Sequence, residues 1–294
     1  MMKIERFLDY LKLERNYSRL TVLKYESCLR LFEEYFKNLN TELEWESVDA
    51  DVIRDWMESM MDSGLTAATV NGRLSAVRSF YRFALKKGLV ENDPAHTITG
   101  PKKEKPLPKF IREKDMDRLL QPEMWGDTYK DVCARTIILL FYETGMRVGE
   151  LVMLDDEMVD LDNRQLKVTG KRNKQRIIPF GAELEQALRD FVRLRDEQVE
   201  RTEKGFFVTE KGQRVTYEQV RRMVKNHLGR VTTQQKRTPH VLRHTFATTM
   251  LNHEAGLESV KQLLGHESLA TTEIYTHTTF EQLKKVYEKA HPRS

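Results

Sequence analysis

Apolar residues recur three and four positions apart over most of the chain, and that spacing predicts a protein built mainly of helices. Phe7, Leu8 and Leu11 form a first stripe. Val22, Leu23, Tyr25 and Leu29, continued by Leu31, Phe32, Tyr35 and Phe36, form a longer one that Ser18 is placed to cap. Val48, Val52, Ile53, Trp56, Met57 and Met60 predict a third helix, opened by Asp49 or Asp51 and closed by Gly64. Thr66 opens a fourth, in which Val70, Leu74, Val77, Phe80, Tyr81, Phe83 and Ala84 face inward until Gly88. Four helices with short connections predict a small bundle over residues 1–98.

The periodicity then breaks. Residues 99–109 lie in ITGPKKEKPLPK, whose prolines and lysines resist packing, and they read as a linker to a second domain over 110–294. That domain opens with a short amphipathic helix from Ile111 to Leu120. The apolar run from Val132 to Tyr142 predicts a buried helix stopped by Gly145, and a new helix starts at Arg147. Between Met158 and Phe180 the period changes to two. Leu166 with Val168, and Ile177 with Ile178, predict strands joined by the turn GKRNKQ, with Lys171 at its tip and a further strand at Met158–Leu161. Helices follow at Ala182–Glu197, Thr216–Leu228 and Phe280–Ala290, with FFVTEKGQ as a short extended piece. The expected fold is therefore mainly α with a small β-sheet, a four-helix domain followed by an α+β domain.

Composition narrows the picture only slightly. With 294 residues and 39% hydrophobic content the chain can bury two cores, and 32% charged residues suit a soluble protein. It contains no long apolar run and no signal-peptide pattern at its start, so a cytoplasmic location without membrane association is expected. The net charge of +4 is compatible with a polyanionic partner. Cys28 and Cys133, each inside a helical pattern, read as small buried side chains rather than a disulfide or metal pair.

Chemistry concentrates between Thr238 and His277. Thr238 followed by Pro239 reads as a helix N-terminus, and His240, Arg243 and His244 then fall at i, i+3 and i+4, on neighbouring sites of one face. A zinc site using His240 and His244 with His253 or His266 is one reading of that spacing. Against it stand the absence of an HExxH glutamate, the distant cysteines and an arginine that would repel a cation. Collected along the chain, the candidates are Arg147, Lys171, His240, Arg243, His266 and Tyr275, with Glu150 and His244 as supporting residues. On the bundle, Tyr17, Ser18, Thr21, Lys24, Thr69, Asn71, Arg73, Arg78 and Arg82 either form a solvated surface or contact nucleic acid. The same choice holds for Lys102, Lys103 and Lys105 in the linker.

The motifs TGMRVGEL, TGKRNKQRIIP, HVLRHTFAT, LLGH and TTEIYTH resemble, in order and spacing, those of the tyrosine recombinases, or phage-integrase family, in its Xer-like form. The resemblance implies a SAM-like core-binding domain and a catalytic domain closing as a C-shaped clamp on duplex DNA. It further implies a 3′-phosphotyrosine intermediate, strand exchange through a four-way junction, and four protomers on two inverted-repeat sites, alone or with a second recombinase. The final helix would then be exchanged between neighbours. The task would be chromosome-dimer resolution or movement of an integrating element.

The residue chemistry fits these roles without metal or cofactor. Tyr275 would be the nucleophile, Arg147 and Arg243 the planar phosphate clamp, and Lys171 the acid for the leaving oxygen. His240 would handle the phenol proton and His266 donate to the phosphate. A monomeric topoisomerase of the IB type and a non-enzymatic DNA-binding relative are the competing readings. A carboxylate cluster of the kind a metal nuclease needs is not evident in the sequence.

Overall fold

In the computed structural model the described residues are 4–103, 109–170, 175–265 and 277–294, the side chains of 277–281 excepted. Lys105, Lys171, His266 and Tyr275 lie outside them. The chain divides into two compact units, Met1–Pro106 and Leu107–Ser294.

The first unit is helical. It comprises α1 (Ile4–Asp9), extended by a π-helical turn at Tyr10–Glu14, then α2 (Arg19–Leu39), α3 (Ala50–Asp62) and α4 (Ala67–Lys86). Helix starts follow the capping residues in the sequence. The Ser18 hydroxyl accepts the Thr21 N–H, Asp49 accepts from Asp51 and Val52, and Thr66 accepts from Thr69. The core is aromatic: Phe7 meets Phe80 edge-on at 5.4 Å between ring centroids, and Phe32 meets Phe36 at the same distance. After α4 the chain folds back, burying Ala95 and Ile98. Arg78 donates to the carbonyls of Ala95 and Ile98, and Asn71 Nδ2 donates to Pro101 O at 2.8 Å. The start of the expected linker is therefore strapped to α4.

The second unit contains α5 (Glu113–Leu120), α6 (Tyr129–Thr144), α7 (Val148–Val152), the strands β1 (Val159–Asp160), β2 (Gln165–Thr169) and β3 (Gln175–Pro179), then α8 (Ala182–Gln198), α9 (Tyr217–Leu228), α10 (Pro239–Asn252), α11 (Leu257–Leu264) and α12 (His277–Ala290). α6 packs against α8 and α10, and it is buried without a break from Ile137 to Thr144, which explains its almost uniformly apolar sequence. The sheet is antiparallel in the order β1-β2-β3, with Leu166 opposite Ile178 and Val168 opposite Arg176. Leu166, Val168, Arg176 and Ile178 are all buried, so an arginine occupies a position where the alternation of β3 calls for an apolar side chain.

One expectation is adjusted. Thr238 precedes α10 with Pro239 in the first turn, but its side chain makes no capping hydrogen bond. Within this single chain the final helix lies against its own unit, where Leu283, Tyr287 and Ala290 join Phe246, Met250, Leu263 and Leu264 in one apolar cluster. Cys28 and Cys133 are free and buried, as read from their helical contexts. No helix among the described residues is long and apolar enough to cross a membrane.

Candidate active site

The site is built around the end of α6. Gly145 terminates that helix with φ of +57°, and a Cβ there would fall 2.5 Å from Phe246 Cδ1 and 2.8 Å from Leu264 Cδ2. Glycine therefore serves twice, permitting the left-handed turn and letting α10 and α11 close on it. The turn delivers Arg147 to the N-cap of α7. Glu150, in the first turn of that helix, accepts the Arg147 backbone N–H at 2.7 Å and its Nη1 at 2.9 Å. Glu150 thereby holds both the backbone and the side chain of Arg147.

Arg243 projects from α10 and is only 7% exposed. Its Nη1 donates to Gly145 O at 2.7 Å and its Nη2 to Leu264 O at 2.6 Å. Arg147 Nη2 donates to the next carbonyl, Gly265 O, at 3.0 Å. The carbonyl before these, Leu263 O, accepts Nε of Arg176 at 3.0 Å. Three successive carbonyls at the end of α11 are thus met by three guanidiniums. The last carbonyls of a helix lack intrahelical partners and carry the negative end of its dipole, so they are natural acceptors for cations.

One carboxylate balances this charge in part. Burial alone would raise the Glu150 carboxyl, but hydrogen bonds and charge from Arg176, followed by those from Arg147, outweigh it and hold Glu150 below the ordinary range. Burial first, then repulsion from Arg147 and Arg176, pushes the Arg243 guanidinium down to about 9, still protonated at neutral pH. Three guanidiniums facing one carboxylate leave a local positive excess, which an anion such as phosphate would relieve.

His240 stands exposed on α10, one turn before Arg243. Burial of part of its ring, then the charges of Arg243, His244, Arg147 and Arg221, lower its pKa, so it is neutral at neutral pH and able to accept a proton. His244 is also exposed, whereas Arg243, next to it in the chain, is buried. His253 Nε2 lies 3.3 Å from Glu113. No group of three or more His, Cys, Asp or Glu residues among the described ones could hold a metal ion.

Arg176 escaped the sequence reading, although its signal was present: a charge at an inward register position of a strand. Glu143, buried at the end of α6, also escaped it. Its Oε2 accepts the Gly181 N–H at 2.9 Å and the Tyr287 hydroxyl at 3.0 Å, and burial pushes its carboxyl up to about 8.

The candidates on the first unit fall into two groups. Lys24, Thr69, Arg82, Lys102 and Lys103 are exposed. Ser18 and Thr21 pair their hydroxyls at 2.9 Å on the exposed first turn of α2, with the Tyr17 ring beside Tyr25. Asn71, Arg73 and Arg78 are engaged within the unit: Asn71 and Arg78 on the strap backbone, and Arg73 on Met60 Sδ at 3.4 Å.

Comparison with known proteins resolves the class. Residues 109–282 match the phage integrase family, and residues 4–88 match its N-terminal SAM-like domain. The chain belongs to the phage integrase family. It is 37% identical to the tyrosine recombinase XerC of Chlorobaculum tepidum, with 98% of this chain and 94% of the relative covered, and 35% identical to that of Pelotomaculum thermopropionicum, with 99% and 98% covered. It is thus an XerC-like tyrosine recombinase, an enzyme that breaks and rejoins DNA strands. Among solved structures, the XerH site-specific recombinase bound to a palindromic difH substrate shares the fold at a TM-score of 0.73 and 23% identity, over 97% of this chain and 84% of that one. A lambda integrase dimer on a core site does so at 0.70 and 17%, over 92% and 97%.

Proposed function

We propose that Arg147 and Arg243 hold the scissile phosphate of duplex DNA while Tyr275 attacks it. A bond forms between the phenolic oxygen and phosphorus, and the bond from phosphorus to the 5′ oxygen breaks. The products are a 3′-phosphotyrosine and a 5′-hydroxyl. Lys171 supplies the proton to the leaving oxygen, His240 takes the proton of the phenol, and His266 donates to a non-bridging oxygen. The phosphodiester energy is conserved in the linkage, so the reverse attack by a second strand reseals the DNA without ATP or a metal.

The observation that carries this reading is the convergence of Arg147 and Arg243 on adjacent carbonyls of the α11 end, with a neutral imidazole, His240, one turn away. Each guanidinium is held by one hydrogen bond from each Nη to a separate acceptor, which leaves its remaining N–H groups for a phosphate and costs little reorganisation when it arrives. The exposed group around Ser18, Thr21, Lys24, Thr69, Lys102 and Lys103 contacts the duplex backbone, where such groups set register. The XerH and lambda integrase neighbours were solved on DNA, which supports a duplex partner. We assign four protomers to two inverted-repeat sites, the strands exchanging through a four-way junction.

Tyr275→Phe removes only the nucleophilic oxygen. On a nicked suicide duplex the wild type accumulates a covalent protein–DNA adduct, and the variant binds the same DNA but forms none. An adduct formed by Tyr275→Phe would assign the nucleophile elsewhere.

A further inference from the structure

We propose that Arg176 is a positioning residue of the active site, acting on Arg147 through Glu150 and through the end of α11 without touching DNA. The inference rests on the assignment of Arg147 to the scissile phosphate made above.

Arg176 is 6% exposed, and each of its three nitrogens has a partner inside the unit. Nη1 donates to Glu150 Oε1 at 2.7 Å, Nη2 to Glu150 Oε2 at 2.9 Å, and Nε to Leu263 O at 3.0 Å. This is a bidentate fork on a carboxylate that is itself buried, the geometry in which arginine cannot be replaced by lysine without loss. The packing is built to admit it. A Cβ on Gly265 would lie 3.1 Å from Arg176 Cδ and 3.2 Å from its Nε, so the glycine that ends α11 leaves the room this side chain fills.

The consequence for Arg147 is electrostatic. Arg147 offers Glu150 a single side-chain N–H, at Oε1, while Arg176 covers both oxygens. Glu150 is thereby neutralised by a residue that is itself almost wholly buried. Arg147 can use the carboxylate as a stop that fixes its direction and still present a net positive charge outward. Without Arg176, the same buried carboxylate would face Arg147 alone and draw its guanidinium into a closed pair, away from an incoming phosphate. The Leu263 contact adds a second effect: the fork that sets Glu150 also fixes the helix end on which Arg147 and Arg243 are aimed.

The test is single-turnover cleavage of the nicked suicide duplex at saturating protein, with DNA affinity measured by gel shift and the folded fraction by thermal melting. Arg176→Met, close in length but uncharged, is expected to lose on the order of 10²-fold in cleavage rate while DNA affinity changes little, as a misdirected catalytic group does. Arg176→Lys recovers part of the rate. The double variant Glu150→Gln/Arg176→Met cleaves faster than Arg176→Met, because the uncompensated carboxylate is gone, and this non-additivity is the signature of action through Glu150. A folded Arg176→Met cleaving at the wild-type rate overturns the inference. So does a rate loss matched by an equal loss of DNA affinity, or a double variant no faster than the single one. If the wild type itself forms no adduct, the assignment of Tyr275 fails, a result distinct from all of these.

Discussion

Glu143 and Glu150 lie on either side of the turn at Gly145, both buried, and their environments drive them to opposite charge states. Glu150 is covered by Arg176 and Arg147 and stays ionised. Glu143 meets only neutral donors, the Tyr287 hydroxyl and the Gly181 N–H, and its other oxygen has no partner among the described residues. Burial therefore leaves Glu143 mostly protonated at neutral pH. The first acid belongs to the arginine cluster; the second attaches α12 to the body of the unit. The difference teaches that the neighbouring donors, rather than depth of burial, decide which acid stays ionised among arginines and which serves as neutral packing.

The comparison can be broken most directly at Glu150. Glu150→Leu leaves Arg176 buried and unpaired and should destabilise the protein by about 3–5 kcal/mol. Glu143→Leu removes one neutral network and should cost only about 1–3 kcal/mol. Urea unfolding of the two variants at neutral pH measures both, and equal losses would erase the distinction. On the catalytic side, Arg243→Ala should lower single-turnover cleavage by roughly 10²–10³.

The pH dependence separates the two acids by sign. The folded pKa of Glu143, about 8, lies above its ordinary 4.5, so its contribution to stability is complete below 4.5 and is lost as pH rises through 8. Glu150 has a folded value below 4.5, so its contribution is present above 4.5 and is lost as pH falls through the lowered value. Glu143→Gln keeps an acceptor for Tyr287 and cannot ionise. Its stability relative to wild type should therefore improve steadily across the window from 4.5 to 8, read as melting temperatures at either end. The smallest effect is expected for Tyr287→Phe, which loses one hydroxyl donor to Glu143 and should cost about 1 kcal/mol in the same unfolding experiment.

Most of the scaffold was legible because its determinants are local. Ser18, Asp49 and Thr66 cap the helices they precede, Gly145 stops α6, and the strands follow the change of period around Leu166 and Ile178. Arg147, Glu150 and Arg243 could be named from motif and spacing, but their mutual arrangement could not, since it depends on carbonyls of α11 that no side-chain pattern advertises. Arg176 was passed over because the adjacent pair Ile177 and Ile178 dominates the strand signal. Glu143 was hidden inside an apolar helix whose hydrophobicity masks a single carboxyl. Asn71 and Arg78 looked like surface groups because a folded-back strap cannot be inferred from one helix face.

The carbonyls at the end of α11 also bear on the order in which the protein is made. The contacts that aim the arginines span long stretches of chain: 118 residues from Arg147 to Gly265, 98 from Gly145 to Arg243 and 87 from Arg176 to Leu263. Closing loops of that length is entropically costly and slow compared with forming a helix. A nascent chain that has emerged only as far as α10 contains Arg147, Arg176 and Arg243 but none of the α11 carbonyls that orient them. The arginine cluster is thus completed only after α11 has been made, and a chain that stops short of it carries its arginines without part of the framework that aims them.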